Sequence, residues 1–147
     1  MHTDRLPAST ATAKRGAEVV FQAVTKRFGS VRAADGISFS TNPGEFLTLL
    51  GPSGSGKSTL LMLLAGFDSP DAGEIIVDGR PMSKVPAYAR NQGIVFQSYA
   101  LFPHMTVEQN LAFPLSVRGI PARRSAELID RALDRVRMTG FKERMPH

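Results

Sequence analysis

The sequence of 147 residues predicts an α/β fold in which a strand runs into a tight glycine-rich loop and the loop opens a helix. Three observations predict it. First, the apolar run Phe46-Leu47-Thr48-Leu49-Leu50 leads into Gly51-Pro52-Ser53-Gly54-Ser55-Gly56-Lys57-Ser58-Thr59, and that into Leu60-Leu61-Met62-Leu63-Leu64-Ala65. Second, short alternating segments separated by turn signals precede this unit. Third, segments with helical periodicity follow it.

Taken in order, residues 1–17 are rich in Ala, Thr and Ser, lack apolar periodicity and predict a disordered tail. Without an apolar h-region they do not read as a secretory signal. From Glu18 the chain alternates as a strand does, with Val20, Gln22 and Val24 on one face and Val19, Phe21 and Ala23 on the other. Lys26-Arg27-Phe28-Gly29-Ser30 reads as a turn. Two short strands follow, Val31 to Ala34 and Ile37 to Ser40, split by Asp35-Gly36. Asn42-Pro43-Gly44 is a second turn signal.

Residues 46–50 carry apolar side chains on both faces, the pattern of a central strand buried between layers. The helix from Gly56 to Ala65 is apolar nearly all round and predicts burial, with Gly66 placed to terminate it. Glu74-Ile75-Ile76-Val77 predicts a strand, and Asp78-Gly79 a hairpin turn. Gly93-Ile94-Val95-Phe96 predicts a further buried strand ending at Gln97. Pro103 and Pro114 bracket a short helix, for which Thr106 and Gln109 form a capping box. Pro121 opens a longer helix carrying Ala122, Ala126, Ile129, Leu133 and Val136 at helical spacing, with Gly140 as its end.

The loop at residues 51–59 matches G-x-x-x-x-G-K-[ST] in the strand–loop–helix context that the motif requires. A triphosphate is a dense anion that needs several donors at close range. Gly54 and Gly56 lack a Cβ, so the backbone can curl toward it, and N–H groups from Gly54 to Ser58 point inward as an anion nest. The helix beginning near Gly56 adds its positive end. Lys57 supplies a point charge for the β- and γ-phosphates, and Ser58 a hydroxyl for Mg²⁺, which prefers hard oxygen ligands. Gly51, Ser53, Ser55 and Thr59 complete the cradle. The expectation is a core of the phosphate-loop NTPase type.

Composition bounds the rest. The chain is 42% hydrophobic and 21% charged, ordinary for a globular protein. It has no cysteine, which excludes disulfides and thiolate metal sites. The longest apolar run, residues 60–65, is far short of the ~20 residues that cross a bilayer. The net charge of +5 raises the question of nucleic acid, but the arginine excess lies on one predicted helix, interleaved with acids. A solvated helix face accounts for it, and no nucleic-acid partner is expected.

Beyond the loop, three stretches in order carry a resemblance. Val24-Thr25-Lys26-Arg27-Phe28-Gly29 lies upstream. The link from Gly66 to Ile75 follows the helix. Val95-Phe96-Gln97-Ser98-Tyr99-Ala100-Leu101-Phe102-Pro103-His104-Met105-Thr106-Val107 closes the series. From about Glu18 to its last residue the chain resembles the ATP-binding subunit of ABC transporters, and around Leu101 to Val107 the importer branch of the polyamine, iron and sulfate type. The resemblance implies ATP and Mg²⁺ as cofactors. It implies that Phe28 stacks on adenine, and that Gln97 senses Mg²⁺ and the γ-phosphate, joining Lys57 in the catalytic set and Ser58 in the metal set. It implies a helical subdomain beginning near residue 98, within a nucleotide-binding domain that starts at residue 18.

Taken alone, Phe28 reads as a core or turn aromatic and Gln97 as a polar strand end; the motif context decides for the functional roles. Tyr99, Leu101, Phe102 and Met105 fit either core or an exposed patch. The resemblance implies the second, with the stretch from Tyr99 to Val107 receiving transmembrane permease subunits. His104 reads as a surface contact, since no second metal ligand lies near it. The family pattern further implies a second nucleotide-binding subunit, a solute-binding protein acting indirectly, and a peripheral place on the cytoplasmic face of the cell membrane. The activity implied is ATP hydrolysis coupled to import of a small solute.

The chain departs from the family in one respect. Its last residues are Met145-Pro146-His147, and the Leu-Ser-Gly-Gly-Gln signature, the acidic Mg²⁺ strand, the glutamate base and the switch histidine do not occur in it. The expectation is therefore an N-terminal fragment: an incomplete core holding the first half of an ATP site, for which hydrolysis by the chain alone is not expected. A non-hydrolysing nucleotide-binding fragment or decayed product is the alternative. A GTPase is disfavoured because no N-K-x-D guanine motif occurs.

Overall fold

The computed structural model describes residues 16–147, so the tail expected over residues 1–17 lies almost wholly outside the described residues. The chain divides into two compact units, one running to Ile94 and one from Val95 to His147.

The first unit is a four-stranded antiparallel sheet with a helix on it. Strand β1 (Val19–Phe28) pairs with β2 (Val31–Thr41) and with β3 (Ala72–Val77), and β3 pairs with β4 (Arg80–Pro81), giving the order β2-β1-β3-β4. The predicted turn at residues 26–30 is shorter than expected. Phe28 opposes Val31 directly, so Gly29 and Ser30 alone make the connection, with Gly29 at φ 60°. Asp35-Gly36 does not break the strand. The register between β1 and β2 slips there, from Val24 against Ile37 to Lys26 against Ala34, and Gly36 takes φ 63°. A bulge places one extra residue in the ladder and lets pairing continue beyond it.

The alternation expected on β1 fails for the same reason. Phe21 and Val24 are both buried although three residues apart. The register shifts between them against both neighbouring strands, and Ala23 sits at φ 47°. A one-residue slip moves the following side chains to the other face. Phe21 and Val24 then join Leu63, Ile75 and Met82 in the core, and Phe21 stacks on Phe39 with centroids 4.5 Å apart. The turn at Asp78-Gly79 forms as predicted, both residues at positive φ (47° and 74°), as a two-residue hairpin of right-handed twist requires.

Residues 46–50 do not form the buried central strand that their composition predicts. They carry no strand pairing, and Phe46 and Leu50 are 92% and 87% exposed. A strand exists only where another backbone offers a ladder, and none of the four strands pairs with this segment. Helix α1 (Lys57–Ala65) is likewise covered on one side only: Leu63 and Ala65 are buried, Leu61 is exposed. Gly66, at φ 83°, ends it as predicted; the Phe67 N–H reaches the Met62 carbonyl and the Gly66 N–H the Leu63 carbonyl.

The second unit holds α2 (Val107–Val117) and α3 (Ala122–Arg135), packed on each other. Thr106 and Gln109 make the predicted capping box. Pro114 lies inside α2 and does not end it; one missing N–H near the C-terminus leaves the remaining ladder intact. Helix α3 begins after Pro121 and buries Ile129 and Leu133. It ends before Gly140. Arg137 takes φ 58°, its N–H reaching the Asp134 carbonyl and the Met138 N–H the Leu133 carbonyl. Gly140 falls in the short 3-10 turn Thr139–Phe141 that follows.

Candidate phosphate-loop site

The loop at residues 51–59 sits in the first unit at the start of α1. Gly51, Gly54 and Gly56 take φ of 153°, 79° and 87°. At Gly56 a Cβ would stand 2.0 Å from the Ala33 carbonyl oxygen on β2, so loop and sheet approach as only glycine permits. Gly56 precedes α1 without a side-chain cap. The first-turn N–H groups of a helix have no intrahelical acceptor, and here no side chain takes their place. They are free to face an anion, and the helix dipole favours one there.

Lys57 folds across the loop. Its ammonium donates to the Gly51 carbonyl at 2.9 Å, the Pro52 carbonyl at 2.6 Å and Ser55 Oγ at 3.1 Å. The cation is thus held inside the curl of the loop, where a phosphate oxygen is the stronger acceptor. Ser53 and Ser58 are exposed, and Thr59 is half-buried on the first turn. Among the described residues no group of three His, Asp or Glu side chains could hold a metal. The exposed Ser58 hydroxyl is a hard oxygen of the kind that Mg²⁺ prefers.

Phe28 belongs to the same unit, at the end of β1, 52% exposed and outside the core cluster. Lys26, two residues earlier and buried, holds its ammonium 5.3 Å from the ring centroid. Asp68 accepts from Lys26 Nζ at 2.6 Å, and Asp71 lies 3.7 Å away. Its hydrogen bond to Asp68 raises the Lys26 pKa above the ordinary lysine value, against burial, and the same bond lowers that of Asp68.

Arg90 was not singled out in the sequence. Its buried guanidinium donates to the carbonyls of Leu63 (2.8 Å) and Leu64 (2.7 Å) at the end of α1, and to those of Met82 (2.7 Å) and Val85 (2.8 Å). Burial lowers its pKa, with partial compensation from the Glu74 carboxylate. A guanidinium at a helix C-terminus satisfies carbonyls that have no intrahelical donor and meets the negative end of the dipole. The second residue of the pair, Glu74, accepts from the backbone N–H groups of Ile75 and Ser83 and from the Ser83 hydroxyl.

Gln97 belongs to the second unit. It does not end a strand: residues 93–96 form none, and Gln97 opens a turn in which Tyr99 and Ala100 take φ of 61° and 51°. The missing ladder partner accounts for this as it does for residues 46–50. The following stretch is ordered by one side chain that sequence reasoning missed. Asn110 Oδ1 accepts the Phe102 N–H at 2.9 Å, and Asn110 Nδ2 donates to the carbonyls of Phe102, Met105 and Thr106 at 3.0–3.1 Å. Around it Phe102 packs edge-on against Phe113, 4.8 Å away, and His104, Met105, Gln109, Ala112, Phe113 and Ser116 line a groove of about 430 Å³. Tyr99 and Leu101 are exposed (77% and 53%). Asn110→Ala is expected to release this stretch and destabilise the second unit by about 1–2 kcal/mol, the loss of hydrogen bonds to backbone groups that are partly withdrawn from water. Urea unfolding followed by circular dichroism checks it.

These features define the class first: an α/β protein with a phosphate loop at a helix N-terminus. Comparison with known proteins then narrows it. Residues 34–147 match the ABC transporter family, and the chain belongs to that family. It is 53% identical over 124 residues, 84% of its length, to the spermidine/putrescine import ATP-binding protein of Chromobacterium violaceum, covering 34% of that protein. It is 48% identical over the same share to the putrescine transport ATP-binding protein of Escherichia coli, covering 33%. The chain thus spans about a third of the length of the curated relatives it matches. Among solved structures it resembles a dimeric ATP-binding cassette in a post-hydrolysis state bound to ADP and Pi. That match has a TM-score of 0.74 and 30% identity over 87% of this chain and 61% of the other.

Proposed function

We propose that this chain binds Mg-ATP as part of the nucleotide-binding domain of an ABC importer subunit, read as residues 18–147 with a helical subdomain from about residue 98. The observation that carries the proposal is the loop at residues 51–59, glycines at positive φ and Lys57 in its curl at the uncapped start of α1. In this reading the N–H groups of the loop and first turn bind the phosphates. Lys57 leaves the carbonyls of Gly51 and Pro52 for the β- and γ-phosphates. Ser58 offers its hydroxyl to Mg²⁺, which when bound neutralises phosphate charge for phosphoryl transfer. Phe28 offers its exposed face to adenine, and stacking of a base on an aromatic ring is worth about 1–3 kcal/mol.

For the whole protein we propose ATP hydrolysis that powers import of a small solute, with a polyamine as the solute class named for the relatives. Its partners would be permease subunits, a second ATP-binding subunit and, indirectly, a solute-binding protein. Among the described residues no helix is long and apolar enough to cross a membrane. Attachment to the cytoplasmic face would therefore pass through the permease, and the exposed apolar residues Tyr99 and Leu101 in the stretch up to Val107 support that contact. The chain itself is tested by calorimetric titration with Mg-ATP. One saturable site is expected; absence of heat and of protection against thermal unfolding at millimolar Mg-ATP would overturn the reading.

A further inference from the structure

Lys26 is a buried cation beside an exposed ring. Its Nζ donates to Asp68 Oδ1 at 2.6 Å and to the Ser69 carbonyl at 2.9 Å, and it stands 5.3 Å from the centroid of Phe28. All its anchors come from the link that leaves α1 after Gly66. That link is stitched to β1 twice more: the Arg27 N–H donates to Asp71 Oδ2 at 2.7 Å, and the Asp71 N–H to the Thr25 carbonyl at 2.8 Å. The strand end that carries Phe28 is therefore tied to the C-terminal side of the same helix whose N-terminus forms the phosphate loop.

An aromatic face is negative, so two stacked π-systems repel through their quadrupoles unless offset. A cation on one face draws density toward itself. It occupies that face, leaves the other for a partner ring, and makes that other face a better platform for an electron-rich purine. The carboxylates fix where the ammonium sits, and so which face of Phe28 stays open.

We propose that Lys26, pinned by Asp68 and Asp71, is a positioning residue for the nucleotide base: it holds and polarises Phe28 so that adenine stacks in register with phosphates bound at residues 51–59. This rests on the reading of Phe28 as the base platform. It implies a split between ligands. Affinity for Mg-ATP depends on Lys26, whereas affinity for Mg-tripolyphosphate, which has no base, does not.

The test is calorimetric titration of the chain with each ligand, for wild type, Phe28→Ala, Lys26→Met, Lys26→Arg and Asp68→Asn. Lys26→Met is expected to weaken Mg-ATP about fivefold, the size of one cation–π contact, and to leave Mg-tripolyphosphate unchanged. Lys26→Arg, which keeps a cation over the ring, is expected to restore Mg-ATP binding. Equal weakening of both ligands by Lys26→Met would make the residue merely structural and overturn the proposal. So would unchanged Mg-ATP binding in Lys26→Met alongside a selective loss in Phe28→Ala. If Phe28→Ala itself shows no selective loss, the platform reading falls and the role of Lys26 falls with it. Should Lys26→Met lose its cooperative unfolding transition, Asp68→Asn, which keeps the lysine but loosens its anchor, decides by the same comparison: a selective Mg-ATP loss supports the proposal, and an equal loss or none overturns it.

Discussion

Lys57→Ala is expected to abolish measurable Mg-ATP binding while leaving the thermal transition of the chain in place. The ammonium is the point charge of the loop, and hydrogen bonds to charged groups contribute about 1.5–3 kcal/mol each. Two such contacts to phosphate oxygens weaken affinity by about two to four orders of magnitude when lost together. The fold should not follow, because the groups Lys57 holds here, the carbonyls of Gly51 and Pro52 and the hydroxyl of Ser55, are exposed and can turn to water. The core of Phe21, Val24, Leu63, Ile75 and Met82 contains none of them. Calorimetry and a thermal melt on the same sample check both halves. Wild-type affinity in the variant would mean that the loop is a glycine turn without a phosphate role.

Arg90→Met is expected to have the larger effect on stability, about 2–4 kcal/mol, since hydrogen bonds from one charged group to four carbonyls, two of them buried, are lost at once. Methionine refills much of the volume, so the loss reports the hydrogen bonds rather than a cavity. Arg90→Lys should recover only part of it. A lysine is a point donor, whereas the planar fork of arginine reaches the end of α1 and the segment after β4 at once. Gly66 fits the same arrangement: a Cβ there would stand 2.4 Å from the Arg90 Nε. Urea unfolding of the three proteins measures the series. A change under 0.5 kcal/mol in Arg90→Met, the range of ordinary surface substitutions, would show that water replaces the guanidinium without cost.

The features readable in advance were those whose physics is local. The loop glycines, the Gly66 terminus, the Thr106–Gln109 box and the Asp78-Gly79 turn each depend on residues within a few positions of one another, and each forms. The errors on β1 and β2 came from bulges. Alternation places Phe21 opposite Val24, but a slip at Ala23 returns both to the core, and composition carries no mark of that slip. Pro114 does not bound α2, because one missing N–H leaves the rest of the ladder intact, and α3 stops short of Gly140, where Arg137 takes the left-handed conformation.

What the sequence determined by itself was the phosphate loop, the helix it opens, and the order of motifs from Phe28 to Gln97 that marks the family. These are set by residue type at short spacing, where backbone freedom and capping act directly. Only the tertiary structure decided which apolar segments become strands. Residues 46–50 and 93–96 have the composition of buried strands, yet a strand is a property of two backbones, and neither segment is one of the four strands of the sheet. It also decided the roles of Lys26, Arg90 and Asn110. Each looks like an ordinary polar residue in the sequence. Each acts through partners brought to it by folding: Asp68 lies 42 positions from Lys26, and the Leu63 carbonyl 27 from Arg90. Asn110 acts over a shorter span, but only because the 102–106 stretch turns back across the start of α2. Long-range electrostatics and hydrogen bonding depend on distance in space, which spacing along the chain does not encode.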